Sequence, residues 1–186
     1  MRTLFIFFLL FSVCYASGTL YDSVAINLTY SKDPPKDKDI ELFIENIKKY
    51  RIADNVFILK RRIPSEVHIW RSQSIMLYES MSYRLVLRPK ADILYISMNY
   101  LPGIYITHTG NIAVGMAKPQ YMFIAVFYGD LHSRCVSSVM LHELMHLLKI
   151  RHCKNKKCVM YPIVGLDQRE LKKECLDVLK KKFEKN

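Results

Sequence analysis

The segment His142-Glu143-Leu144-Met145-His146-Leu147-Leu148-Lys149-Ile150-Arg151-His152 constrains this chain more than any other, because it gathers three imidazoles and one carboxylate at spacings that suit a single metal ion. On a helix, His142 and His146 stand four residues apart on one face, so two neutral imidazole nitrogens can converge on one ion. Glu143 then lies beside the ion without ligating it, placed to take a proton from activated water and pass it to a leaving amine. The third ligand must come from beyond the helix. His152, six residues after His146, is suitably spaced if the helix stops and the chain turns back near Lys149. Three histidines with one open position are the donor set of a catalytic Zn2+ site. The bland alternative is an amphipathic core helix with incidental histidines. The third histidine at the right offset and a methionine downstream argue against it.

These residues resemble the metzincin zinc peptidases, whose signature is H-E-x-x-H-x-x-G-x-x-H followed by a methionine-containing turn. The resemblance implies His142, His146 and His152 as zinc ligands and Glu143 as the general base. Cys158-Val159-Met160-Tyr161-Pro162 is similar to the methionine turn, so Met160 is expected to form an apolar floor beneath the metal. The implied fold is α/β (α+β): a twisted mixed sheet with backing helices, an active-site helix below a cleft, and a small C-terminal subdomain. Asn111 to Ala117 resembles the edge strand that lines such a cleft, with Gly115 and Ala117 as substrate-binding positions; an ordinary solvent-covered hairpin is the alternative. Tyr161, Pro162 and Ile163 are implied to form the wall of the pocket for a substrate side chain. The chain departs from the family at Lys149, where the signature has a glycine that ends the helix in a left-handed conformation. A lysine making the same turn stores roughly 1–3 kcal/mol of backbone strain.

The chain has 186 residues, 51% of them hydrophobic, which suits one domain with a sizeable core. Met1-Arg2-Thr3, the apolar run Leu4 to Val13 and the small residues Ala16, Ser17 and Gly18 read as a secretory signal over 1–18, leaving a catalytic domain at 19–186. The apolar run is too short for a comfortable membrane span, so the mature protein is expected to be extracellular, monomeric and without an anchor. Asn27-Leu28-Thr29 is an N-glycosylation acceptor in that setting.

Export also governs the reading of the cysteines. Cys14 leaves with the signal, and Cys135, Cys153, Cys158 and Cys175 are even in number, as a disulfide framework requires; three pairings are open. Pairing Cys153 with Cys158 and Cys135 with Cys175 is similar to the adamalysin-like (reprolysin-like) branch of metzincins. The region around the methionine turn also has archaemetzincin-like and matrixin-like features, and the archaemetzincin pattern makes a second, cysteine-ligated zinc the rival to disulfides. Disulfides are the expectation here, on grounds of compartment.

Elsewhere, alternation from Ser23 to Tyr30 predicts a first strand, and Ile40, Phe43, Ile44, Ile47 and Tyr50 recur at helical spacing. Short strands are expected at 56–59 and 67–70, separated by Lys60-Arg61-Arg62 and Pro64, then a helix over 72–86, a central strand at 91–98, another at 122–128 and the active-site helix from about Ser133; Asp167 with Glu170 reads as the capping start of a last helix whose apolar stripe is Leu171, Cys175, Val178 and Leu179. Trp70 reads as core, and His68, His108 and His132 lack partners at ligand spacing. Lys plus Arg number 28 against 17 Asp plus Glu. Attraction to polyanionic glycans or acidic cell surfaces follows from that balance, with solubility as the simpler explanation; nucleic acid is not expected, because no stacking aromatics interleave the lysines. The function these features support is a zinc metalloendopeptidase acting on proteins or peptides. The alternatives are a non-catalytic zinc-containing binding protein on the same scaffold and a basic surface-binding protein.

Overall fold

Val24, Ile26 and Leu28 alternate along the first strand and so share one of its faces, and the same period of two recurs in Leu94, Ile96 and Met98. All six are buried and build one wall of the core. The computed structural model describes residues 19–62, 93–102, 105–106, 112–128, 133–162 and 170–183. Strand β1 (Tyr21–Tyr30) leads through helix α1 (Asp37–Lys49) to β2 (Ala53–Arg62). There follow β3 (Ile93–Leu101), the short β4 (Tyr105–Ile106) and β5 (Ile112–Ala113), β6 (Gly115–Lys118), a 3-10 turn at Pro119–Tyr121, β7 (Phe123–Phe127), α2 (Ser133–Leu147) and α3 (Lys173–Phe183).

The described strands form a sheet in the order β2-β1-β3-β7-β6, parallel except for β6, which runs antiparallel to β7; β4 and β5 make a separate antiparallel pair. This is the mixed α/β arrangement expected. Parallel neighbours are buried on both faces, which is why β7 reads as the unbroken apolar run Phe123–Phe127, every residue of it buried. Phe123, Ala125 and Phe127 pack with Leu101 in a smaller cluster apart from the main core, while Ile124 and Val126 join the main one.

Helix α1 carries Ile40, Phe43 and Ile47 into the main core, with Asp37 and Asp39 in its first turn and Lys48 and Lys49 in its last, as the helix dipole favours. It ends on Arg51 at φ 54, with Arg51 N–H donating to the Lys48 carbonyl and Ile52 N–H to that of Ile47 (both 2.9 Å). That is the Schellman pattern, closed by a residue other than glycine.

Some expectations need correction. The basic run Lys60-Arg61-Arg62 continues β2 instead of separating strands. β2 lies at one end of the described sheet, and charge there discourages further strand pairing. The expected strand over 111–117 is divided at Val114 into β5 and β6, which belong to different sheets. The last helix begins at Lys173, with Leu171 buried ahead of it and Val178 45% exposed, so Val178 is not part of its apolar stripe. Glu170, expected in a cap, bridges in parallel to Cys158 and pairs with Lys49 at 2.7 Å. Among the described residues no helix is long and apolar enough to cross a membrane. The signal segment, the elements expected over 67–86, Trp70, His68, His108, His132 and Asp167 lie outside the described residues.

Candidate metal centre

Helix α2 is buried from Val136 through Met145, so its sequence is apolar nearly all round and even Ser137 and Ser138 are enclosed. Exposure rises at its C-terminal end. There His142 is buried, His146 half-buried and His152 exposed, a gradient that opens the cluster on one side.

The helix stops as the third ligand requires. Lys149 N–H donates to the His146 carbonyl and Ile150 N–H to that of Met145 (both 2.9 Å), and Lys149 sits at φ 58. The left-handed turn expected of glycine is therefore made by lysine, and it returns His152 to the helix. The three Nε2 atoms then stand 3.0 Å (His142 to His146), 3.0 Å (His146 to His152) and 3.2 Å (His142 to His152) apart.

The far ring nitrogens are also held. His142 Nδ1 lies 2.6 Å from the Val159 carbonyl and His146 Nδ1 lies 3.0 Å from that of Ile150. A carbonyl can only accept, so both Nδ1 atoms carry the proton and both Nε2 atoms present lone pairs to one point. Two lone pairs facing each other at that distance call for a cation between them. Three imidazole nitrogens bound tetrahedrally to one zinc at about 2.0–2.1 Å would stand roughly 3.3 Å apart, close to what is found. The donor set fits zinc.

Electrostatics prepare the same state. Burial pushes the His142 imidazole down to about 4, with the neighbouring imidazoles adding to the effect against the Val159 hydrogen bond. Burial also lowers His146 and His152. Neutral imidazoles are the form a metal binds. Burial acts oppositely on the carboxyl of Glu143, which is raised to about 8. Strand β6, the last described strand of the sheet, passes over it at Gly115.

Met160 is fully buried and follows Val159, whose carbonyl holds His142; its own carbonyl accepts from Cys153 N–H at 3.0 Å. Tyr161 is half-buried and Pro162 exposed, while Ile163 lies outside the described residues. Ala117 is half-buried in β6 opposite Ile124. Asn27 stands in β1, between β2 and β3, with its amide oxygen buried and unpartnered among the described residues, and the neighbouring Thr29 hydroxyl bonds Asn99.

The cysteines overturn the disulfide expectation. Cys153, Cys158 and Cys175 are buried free thiols whose sulfurs lie within 4.8 Å of one another, with Cys158 Sγ 3.7 Å from Cys175 Sγ, far beyond the roughly 2.05 Å of a disulfide. Cys175, the expected partner of Cys135, belongs to this cluster instead; Cys135 lies in the first turn of α2. The reason is topological. The isolated bridge from Cys158 to Glu170, with Val159 N–H donating to the Glu170 carbonyl (2.9 Å), lays α3 against the loop, so three sulfurs converge where pairing was expected. Met160 N–H and Lys172 N–H both donate to Cys158 Sγ (3.4 Å each). Unmetallated, Cys153 and Cys175 are held as thiols by burial.

Two contacts carried no sequence signal: the approach of Gly115 to Glu143, and the bond from Leu171 N–H to the Tyr50 hydroxyl (2.9 Å) that ties the C-terminal segment to α1. Each joins positions far apart in the chain.

No family model and no curated protein sequence matches the chain. Solved structures do. The archaemetzincin of Methanopyrus kandleri superposes with a TM-score of 0.66 at 15% identity, over 89% of this chain and 97% of that one. A zinc-dependent peptidase of Methanocorpusculum labreanum gives 0.60 at 14%, over 83% and 99%. The archaemetzincin of Archaeoglobus fulgidus, complexed with malonate, gives 0.57 at 16%, over 82% and 98%. At such identities the likeness establishes the fold.

Proposed function

We propose that this chain is a zinc metallopeptidase that hydrolyses internal peptide bonds in proteins. The observation that carries the reading is the convergence of three Nε2 atoms at 3.0–3.2 Å, two of them fixed as lone-pair donors by backbone carbonyls. His142, His146 and His152 would hold the metal. Zinc, when bound, supplies a Lewis acid for the scissile carbonyl and brings water within reach of deprotonation at neutral pH. The Val159 and Ile150 carbonyls keep the ligand rings in register. Glu143, enclosed beside His142, takes the proton from water and delivers it to the leaving amine. β6 is the last described strand of the sheet, so its outer row of backbone groups can receive an extended peptide at Gly115 to Ala117, with Tyr161 and Pro162 beyond it. Met160 would floor the site.

The test is hydrolysis of casein and of end-blocked quenched peptides by zinc-loaded protein. Glu143→Ala is expected to lower kcat by about 10²–10⁴-fold while zinc content holds. Equal turnover by both proteins, or none by wild type, would leave the non-catalytic binding protein in its place.

A second reading concerns the thiols. Their convergence, and the two N–H groups aimed at Cys158, favour a structural metal of the archaemetzincin kind over the adamalysin-like disulfides. Two zincs per chain by mass spectrometry, one of them lost in Cys158→Ser, is the expected result.

Export rests on the N-terminal apolar run, and attraction to polyanions on exposed Arg151, Lys154, Lys156 and Lys157 beside His152. Sequencing the mature N-terminus from culture medium tests the first. Heparin retention that collapses in moderate salt tests the second.

A further inference from the structure

We infer that Gly115 is a positioning residue for the base, on the peptidase reading above: only a residue without a side chain at that point of β6 lets the Glu143 carboxylate lie beneath the edge strand. A Cβ placed on Gly115 would stand 2.8 Å from Glu143 Cγ and 2.8 Å from Val139 Cγ1, and would also strike Glu143 Oε1. Carbon pairs settle at about 3.5–4.0 Å, so something must move.

The surroundings decide what moves. Val139 lies one helical turn before Glu143 on the same face of α2, is fully buried, and as a β-branched residue in a helix has one strongly favoured rotamer. The strand is tied to its neighbour by the pairing of Gly115 with Val126 and by Phe127 N–H donating to the Val114 carbonyl at 2.9 Å. Glu143 alone has an unbranched side chain with free torsions. A methyl group at position 115 therefore turns the carboxylate out of its seat, while the contact with Val139 Cγ1, which no motion of Glu143 relieves, is taken up by a small displacement of β6, and the imidazoles stay where they are. Gly115 was expected to serve the substrate through its backbone; the geometry gives it this additional task on the enzyme itself.

Gly115→Ala is tested in two ways. In steady-state kinetics, kcat is expected to fall at least about tenfold with KM and zinc content within about twofold of wild type, because a misplaced base weakens the transition state alone. In thermal unfolding of the zinc-loaded protein, Gly115→Ala is expected to lower the midpoint by about 3–10 °C in wild type, and by less than half as much when Glu143→Ala is already present. The double variant also serves if Gly115→Ala alone does not fold, since shortening Glu143 removes two of the three clashes and is expected to restore folding.

An unchanged kcat, a rise in KM alone, or the same midpoint loss in both backgrounds overturns the proposal. Should wild type cleave no peptide, the peptidase reading fails by itself, and the unfolding comparison still decides whether Gly115 seats Glu143.

Discussion

His152 and Cys153 are adjacent in the chain, yet they belong to two clusters of side chains, each able to hold a metal ion, with opposite characters. The imidazole cluster grades from buried His142 to exposed His152, and two of its donors, His142 and His146, are turned toward one point by backbone carbonyls. The thiol cluster is buried throughout and drawn from a loop and a helix that meet only after folding, and burial holds Cys153 and Cys175 as thiols in the absence of metal. An open site with its charge state prepared suits chemistry, whereas a closed site whose ligands must be deprotonated suits the joining of segments. The difference teaches that exposure, and not ligand number, separates the two roles.

The largest expected effect tests the open site. His146→Ala is expected to lower peptide turnover by at least about 10³-fold while the unfolding free energy changes by no more than about 1–2 kcal/mol, since His146 is only half-buried. Cys158→Ser is the converse. It is expected to cost about 2–5 kcal/mol of stability, read by denaturant titration, with turnover per folded molecule preserved. If Cys158→Ser instead abolished turnover at unchanged stability, the division of roles would be wrong.

Acidity sharpens the contrast in metal-free protein. The folded pKa of His142 is depressed to about 4 from 6.5, so its contribution to stability is present above pH 6.5 and is lost as pH falls toward 4. The folded pKa values of Cys153 and Cys175 are raised from 9.0, so their contribution is present below pH 9 and is lost above it. Glu143, raised from 4.5 to about 8, behaves like the thiols at lower pH, its contribution fading between those values. Denaturant midpoints of chelator-treated protein are expected to decline at both extremes of pH. Glu143→Gln should remove the decline between about pH 6.5 and 8, where no rise from His142 offsets it, and an unaltered profile would reject a buried Glu143.

The smallest effect concerns the turn between the clusters. Lys149→Gly is expected to raise stability by about 1 kcal/mol, since glycine adopts φ 58 without strain, and to leave zinc content unchanged. Arg51→Gly, at the matching turn of α1, provides the control and should behave alike.

Much of the site was legible in order along the chain. His142 and His146 share a helical face by spacing alone, and the offset to His152 is met by the turn at Lys149. The strands β1 and β3 and helix α1 follow from their apolar periods, because a residue's preference for one face is local information, and β7 from its unbroken apolar run. The thiols were misread because compartment and even number argue for pairs, while neither says which sulfurs will meet. Val178 was misassigned because a helical stripe shows which residues align, without showing how wide a face the neighbours cover.

By itself, then, the sequence determined the donor set: three histidines and a glutamate at fixed offsets, on a helix whose composition obliges it to be buried. Only the tertiary structure decided that the Val159 carbonyl orients His142, that Cys175 joins Cys153 and Cys158, and that Gly115 leaves room for Glu143. The physical reason is range. Periodicity and turn chemistry act over a few residues and are written into the chain, but contacts between positions 17 or more residues apart are fixed by how helices, loop and edge strand pack together.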